Sequence, residues 1–121
     1  MPGSIVFKPL EAKIKDSPES VDSLDPICKF KIGFHSGKTE AALPCEGNIV
    51  WHDYVKVDMN DESFATVKLK NKGILGKTIG EGKIDLEMVL ASKRMVQWID
   101  VFDKDEVTGQ ILVDVQYIPP T

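Results

Sequence analysis

Hydrophobic and polar residues alternate with a period of two along most of this chain. Leu10, Ala12 and Ile14 alternate with Glu11, Lys13 and Lys15. Cys28, Phe30, Ile32 and Phe34 share one face, with Lys29 and Lys31 on the other. Trp51, Val55, Val57 and Met59 oppose His52, Tyr54, Lys56 and Asp58, and Ala65, Val67 and Leu69 oppose Thr66, Lys68 and Lys70. Ile111, Val113, Val115 and Tyr117 oppose Asp114 and Gln116. A period of two is the signature of half-buried strands. Further strands are expected over 38–43, 78–85 and 95–102, which makes eight. Short strands with one buried face predict an all-β, antiparallel sandwich. Its core is expected to hold Cys28, Phe30, Ile32, Trp51, Val55, Val57, Val67, Ile84, Val113 and Val115.

One short helix is predicted near residues 86–93. Asp85 is a candidate N-cap, and Leu86, Val89 and Leu90 fall on one face. Lys93 and Arg94 stand where a helix C-terminus favours positive charge. Alone, such a helix is too short to be stable, so it must pack on the strands. The joints read as the polar segment 16–25, a hairpin turn at His35-Ser36-Gly37-Lys38, a loop over 44–48, a turn over 60–63, the glycine-containing segment 71–77 and a last hairpin over 104–109.

The 121 residues are one domain's worth of sequence, and a single domain over 1–121 is expected. With 42% hydrophobic and 28% charged residues, the composition is that of a globular protein. A net charge of -4 argues against general nucleic-acid binding, which needs a basic footprint. No apolar run reaches the ~20 residues of a membrane span. No secretory or lipidation motif is seen, so the two cysteines, Cys28 and Cys45, read as reduced thiols of a cytoplasmic protein.

Six segments, in order, resemble a C2 domain across nearly the whole chain. Leu10-Glu11-Ala12-Lys13-Ile14-Lys15 is similar to the first strand. Leu24-Asp25-Pro26-Ile27-Cys28-Lys29-Phe30 resembles the Ser-Asp-Pro-Tyr-Val-Lys motif. Gly37-Lys38-Thr39 followed by Gly47-Asn48-Ile49-Val50-Trp51-His52-Asp53 resembles Lys-Thr followed by Asn-Pro-Val-Trp-Asn-Glu. Ile79-Gly80-Glu81-Gly82-Lys83-Ile84-Asp85-Leu86 is similar to Ile-Gly-x-x-x-Ile-x-Leu. Trp98 comes next, then Gly109-Gln110-Ile111-Leu112-Val113 before Tyr117 and Pro119. The resemblance implies an eight-stranded Greek-key sandwich with three loops at one tip. In calcium-binding members of the family, aspartates of the first and third loops hold the ions against anionic lipid.

In this sequence the first loop matches in part: Asp25 takes the Asp-Pro position, with Asp16, Glu19 and Asp22 nearby. The third departs outright. From Val67 to Ile79 there is no carboxylate, and there are four lysines. Calcium takes six to eight oxygen ligands, carboxylates among them, and ammonium groups repel it. No metal site is therefore expected and no cofactor is implied. The expectation is a calcium-independent interaction module that docks to a protein partner or larger assembly, or weakly to an anionic membrane. The candidate contacts are Lys70, Lys72, Ile74, Leu75 and Lys77, an apolar wedge in a collar of lysines. The same lysines could instead pair with the acids of 16–25. A second, thinner basic patch is expected from Lys29 and Lys31 with Lys56 beside them. The alternative is a calcium-dependent phospholipid binder using Asp16, Glu19, Asp22 and Asp25, with Asn71 as a further ligand.

No catalytic motif is present: there is no nucleophile elbow and no His-Glu-x-x-His. Gly76-Lys77-Thr78 lacks the upstream glycine of a phosphate loop. Cys28, His35, Cys45 and His52 lack the clip spacing of a zinc site. The expected protein is non-enzymatic and cytoplasmic, peripheral to a membrane or to a cytoskeletal assembly.

Overall fold

The computed structural model describes residues 3–15, 26–40, 42–45, 48–71 and 78–120. Ten strands and one helix follow in order: β1 (Gly3–Ile14), β2 (Pro26–Ile32), β3 (His35–Lys38), β4 (Leu43–Cys45), β5 (Asn48–Val50), β6 (Val55–Met59), β7 (Phe64–Asn71), β8 (Thr78–Asp85), α1 (Leu86–Ser92), β9 (Arg94–Asp103) and β10 (Glu106–Ile118). All pairings are antiparallel, in the order β3-β2-β7-β8-β9-β10-β1-β5-β4, with β6 also on β1. Among the described residues, β8 meets β9 through a single register pair, Glu81 with Phe102. At that joint the sheet folds over itself into two layers, β3-β2-β7-β8 and β9-β10-β1-β6. Phe7 of β1 and Phe30 of β2 close the space between them, their rings stacked 4.4 Å apart at 8°. The chain crosses between layers from β3 to β5 and again from β6 to β7, which is Greek-key connectivity.

Seven of the eight expected strands are present, as β1, β2, β6, β7, β8, β9 and β10; β3 and the small β4–β5 hairpin take the place of the strand expected over 38–43. Of segment 44–48, expected as a loop, residues 44 and 45 lie in β4 and residue 48 opens β5. β5 and β6 are two halves of one path along β1, interrupted where the Trp51 N–H donates to the Leu10 carbonyl at 3.2 Å. All ten expected core residues are buried in one cluster.

Three expectations need correction. Phe34 does not share the core face of Cys28, Phe30 and Ile32; it is fully exposed beside Gly33, where the turn falls. Gly33 supplies the left-handed φ of 58° that this turn needs. His35 to Lys38 is therefore strand β3 rather than a turn, and 38–43 is not one strand. Gly37 serves layer contact: a Cβ there would stand 2.5 Å from Val55 Cγ1. Finally, β1 runs back to Gly3, well before Leu10. A register shift between Pro9 and Glu11 changes which side faces inward, so Ile5, Phe7 and Pro9 are buried before it and Ala12 after it.

The helix forms as expected. Asp85 Oδ1 accepts the N–H groups of Glu87 and Met88 at 2.9 and 3.3 Å. Leu86 and Val89 are buried. Lys93 ends the helix in a left-handed conformation, its N–H donating to the Val89 carbonyl. Arg94 is not part of the helix end; it opens β9 and forks onto Asp114 at 2.7 and 3.0 Å.

Candidate anion-binding face

The outer face of the β3-β2-β7-β8 layer gathers lysines from four adjacent strands. Alternation turns Cys28, Phe30, Val67 and Leu69 inward, so Lys29, Lys31, Lys68 and Lys70 must project outward. Register then sets them in rows. Lys38 of β3 faces Lys29 of β2, Lys29 faces Lys68 of β7, and Lys68 faces Glu81 of β8. Beside that row runs a second: Ser36, Lys31, Thr66 and Lys83. Adjacent strands lie about 4.8 Å apart, so Lys38, Lys29 and Lys68 stand abreast within about 10 Å. Like charges directly opposite cost roughly 0.2–1 kcal/mol per pair. Glu81 offsets that at one end of the row only.

Lys29, Lys31, Lys68, Thr66 and Phe64 line an open cavity of about 580 Å³, together with the carboxylates Asp61, Glu62 and Glu81. Lys83 lies over the Phe64 ring, its Nζ 4.7 Å from the centroid. The donors here are ammonium groups with no acceptor of their own, which suits phosphate or carboxylate oxygen.

The expected patch of Lys29, Lys31 and Lys56 is therefore half right in placement. Lys56 is not beside the other two. It lies on β6 in the opposite layer, with Lys8 and Tyr54. Lys38, Lys68 and Lys83 take its place, and their register partners, not their own strand patterns, bring them together. Lys70 faces Ile27 at the end of β7, in the same outward series. Lys72, Ile74, Leu75 and Lys77, and the acids Asp16, Glu19, Asp22 and Asp25, lie outside the described residues. The strand ends that flank them are described: Pro26 pairs with Asn71, and the Lys15 N–H donates to the Thr108 carbonyl at 2.8 Å. Segments 16–25 and 72–77 thus leave the sandwich at the same end.

Cys28 and His35 sit on separate strands, β2 and β3. Burial, with Asp53 adding to it, pushes the Cys28 thiol well above its ordinary pKa, so it is held as a neutral apolar group. Thr39 and Trp51 tie down the same region. Thr39 Oγ1 accepts the Cys28 N–H at 3.1 Å, and Trp51 Nε1 donates to the Pro26 carbonyl at 3.3 Å.

No family model matches the sequence, and no curated protein is detectably similar to it. Solved structures are. A C2 domain-containing protein superposes with a TM-score of 0.83 at 18% identity, over 99% of this chain and 91% of that one. A C2 domain of plant extended synaptotagmin 1 gives 0.75 at 17% identity, over 98% and 96%. The calcium-bound pair of C2 domains from extended synaptotagmin 2 gives 0.75 at 14%, over 97% of this chain and 46% of that longer one. With its two layers, its Greek-key crossings and its full-length superposition on these structures, the chain folds as a C2 domain.

Proposed function

We propose that this C2-fold chain is a calcium-independent docking module that attaches reversibly to an anionic phospholipid surface through the lysine face of β3, β2, β7 and β8. The observation that carries this is the row Lys38, Lys29, Lys68, three like charges abreast on adjacent strands. Their mutual repulsion is relieved when phosphate oxygens stand between them. Each lysine near an anionic membrane contributes about 1 kcal/mol, so this row with Lys31 and Lys83 supplies about 5 kcal/mol. That corresponds to a dissociation constant on the order of 10⁻⁴ M, weak and reversible.

The donor chemistry does not fit a calcium ion well. Asn71 ends β7 next to Lys70, and the sequence from Val67 to Ile79 offers four lysines and no carboxylate. A lysine-based attachment also agrees in its chemistry with the expected contacts at Lys70, Lys72 and Lys77.

Co-sedimentation with vesicles of phosphatidylcholine alone, or with added phosphatidylserine, tests this in chelator and in calcium. Binding to the acidic vesicles is expected with chelator present and is expected to fall with salt, because exposed charges are screened over about 8 Å at physiological ionic strength. The double substitution Lys29→Glu, Lys68→Glu should abolish it. Binding that requires calcium would support the first-loop acids instead, and no vesicle binding at low salt would leave an acidic protein surface as the partner class.

A further inference from the structure

Among the described residues the joint between β8 and β9 carries a single register pair, Glu81 with Phe102, although the strands stay in contact at Gly80 and Gly82. The Tyr117 N–H donates to the Lys93 carbonyl at 2.9 Å, which sets the phase of the β9–β10 ladder. In an antiparallel ladder alternate residues turn their backbone groups to the same neighbour. Residues 95, 97 and 99 therefore face β10, and Val96, Trp98 and Asp100 turn their N–H and C=O groups toward β8; the register runs without a shift over this stretch. On that side the Arg94 carbonyl is taken by Ser92 Oγ at 3.1 Å, and Phe102 pairs with Glu81. Among the described residues, Val96 and Trp98 have no strand partner there.

At the top of the seam the strands touch. A Cβ on Gly82 would lie 2.3 Å from the Asp100 carbonyl oxygen, so glycine is required for β8 to come this close. A cavity of about 740 Å³, open to solvent, lies along the seam and is lined by residues of β7, β8 and β9 and of the turn after β9. Arg94 to Asp100 spans about 20 Å, the length of a six-residue strand. Exposed edges are usually blunted by lysine, proline or a bulge. From Met95 to Phe102 there is neither lysine nor proline and a single charge, Asp100, while Val96 and Trp98 are 51% and 36% exposed. Glu81, Asp100 and Asp105 line the cavity together with Lys83 and Lys104. Lys83 is drawn over the Phe64 ring, which leaves the carboxylates in excess beside Asp100.

We propose that this seam is a strand-addition site for an extended peptide segment of a partner protein. The segment runs antiparallel to β9, places apolar side chains beside Val96 and Trp98, and carries a basic residue at its N-terminal end, next to Asp100. The backbone edge supplies the attachment and the carboxylates set the direction. This site is separate from the lysine face and does not depend on vesicle binding.

The probe is the blocked hexapeptide Lys-Thr-Val-Thr-Val-Thr, whose Lys and Val side chains share the face of Asp100, Trp98 and Val96, titrated into ¹⁵N-labelled protein, with a second peptide of the same sequence N-methylated at alternate amides. The expected result is chemical-shift change and slowed amide exchange centred on Val96, Trp98 and Asp100, with at least about tenfold weaker binding of the methylated peptide, as lost backbone hydrogen bonds require. Val96→Pro removes a seam-facing N–H without touching the bonds to β10 and should weaken binding similarly. Should that variant fail to fold, the methylated peptide and Val96→Lys in its place carry the test. Equal binding of the two peptides, no binding at millimolar concentration, or shifts centred on Lys29 and Lys68 would overturn the proposal. So would concentration-dependent broadening of the β9 signals in the free protein, which would make a second copy of the chain the occupant.

Discussion

Replacing Phe30 by alanine tests the sandwich where its two layers meet. Phe30 is fully buried, and its ring lies flat on Phe7, 4.4 Å away, from the opposite layer. Removing a buried phenylalanine side chain costs about 3–5 kcal/mol through lost transfer energy and the cavity left behind. A domain of this size is stable by roughly 5–15 kcal/mol, so the variant should lose about a fifth of the total or more. At roughly 4 °C per kcal/mol, Tm should fall by about 10–20 °C. Phe7→Ala should cost a similar amount, and the two losses should not add. The stacked pair has its own coupling of about 0.5–1.5 kcal/mol, which the double substitution reveals as a smaller loss than the sum. Urea unfolding followed by tryptophan fluorescence measures each corner of the cycle, since Trp51 is buried in the native state and becomes hydrated on unfolding. A loss below about 1 kcal/mol for Phe30→Ala, or additive losses for the pair, would refute the claim that these rings join the layers.

Gly82→Ala should destabilise by about 1–3 kcal/mol in the same urea assay, because its Cβ meets the Asp100 carbonyl, which cannot move without breaking the one β8–β9 pair seen among the described residues. Asp85→Ala removes the acceptor for two helix N–H groups and should lower stability by about 1 kcal/mol, with Asp85→Asn largely restoring it. Replacing Lys68 by glutamine should leave stability unchanged or slightly raised, since it relieves the opposition to Lys29, while weakening attachment to acidic vesicles. Cys28 has a raised pKa in the folded chain, so its contribution to stability is complete below the thiol's unfolded pKa and is lost as pH rises toward the folded value. Stability should therefore decline above about pH 8.5 more steeply in the wild type than in Cys28→Ala. In a Cys45→Ser background, Cys28 should react with a thiol reagent only after urea unfolds the chain.

Much of the fold was legible because its strands are amphipathic and its core residues alternate cleanly. Cys28, Phe30 and Ile32 on β2, Val67 on β7, and Val113 and Val115 on β10 announce their faces one strand at a time. Asp85 announces the helix by capping chemistry alone. What stayed hidden depends on contacts between strands. The shift at Pro9 breaks the alternation of β1, so Ile5 and Phe7 do not continue the series that begins at Leu10. Gly37 looked like a turn residue, but its smallness serves the approach of Val55. The lysine row needed register: neither β2, β3 nor β7 alone says that Lys29, Lys38 and Lys68 stand side by side. Lys56 was misplaced for the same reason, because its partner strand is β1. The tip candidates Ile74, Leu75 and the acids of 16–25 rest on sequence chemistry alone.

The Pro26 carbonyl accepts from two places at once, the Trp51 indole and the Ala42 N–H, and its neighbour Cys28 is clasped by Thr39. Together with the Lys15–Thr108 bond, these contacts close the end of the sandwich using residues outside segments 16–25 and 72–77. These particular bonds are supplied by residues of the frame and not by those two segments. Mutation can rewrite their chemistry, exchanging carboxylates for lysines or apolar residues, while the selective penalty for misfolding stays small. It follows that grafted loops of foreign sequence should be accepted at these two positions, whereas a change at Thr39 or Trp51 should unsettle every graft alike.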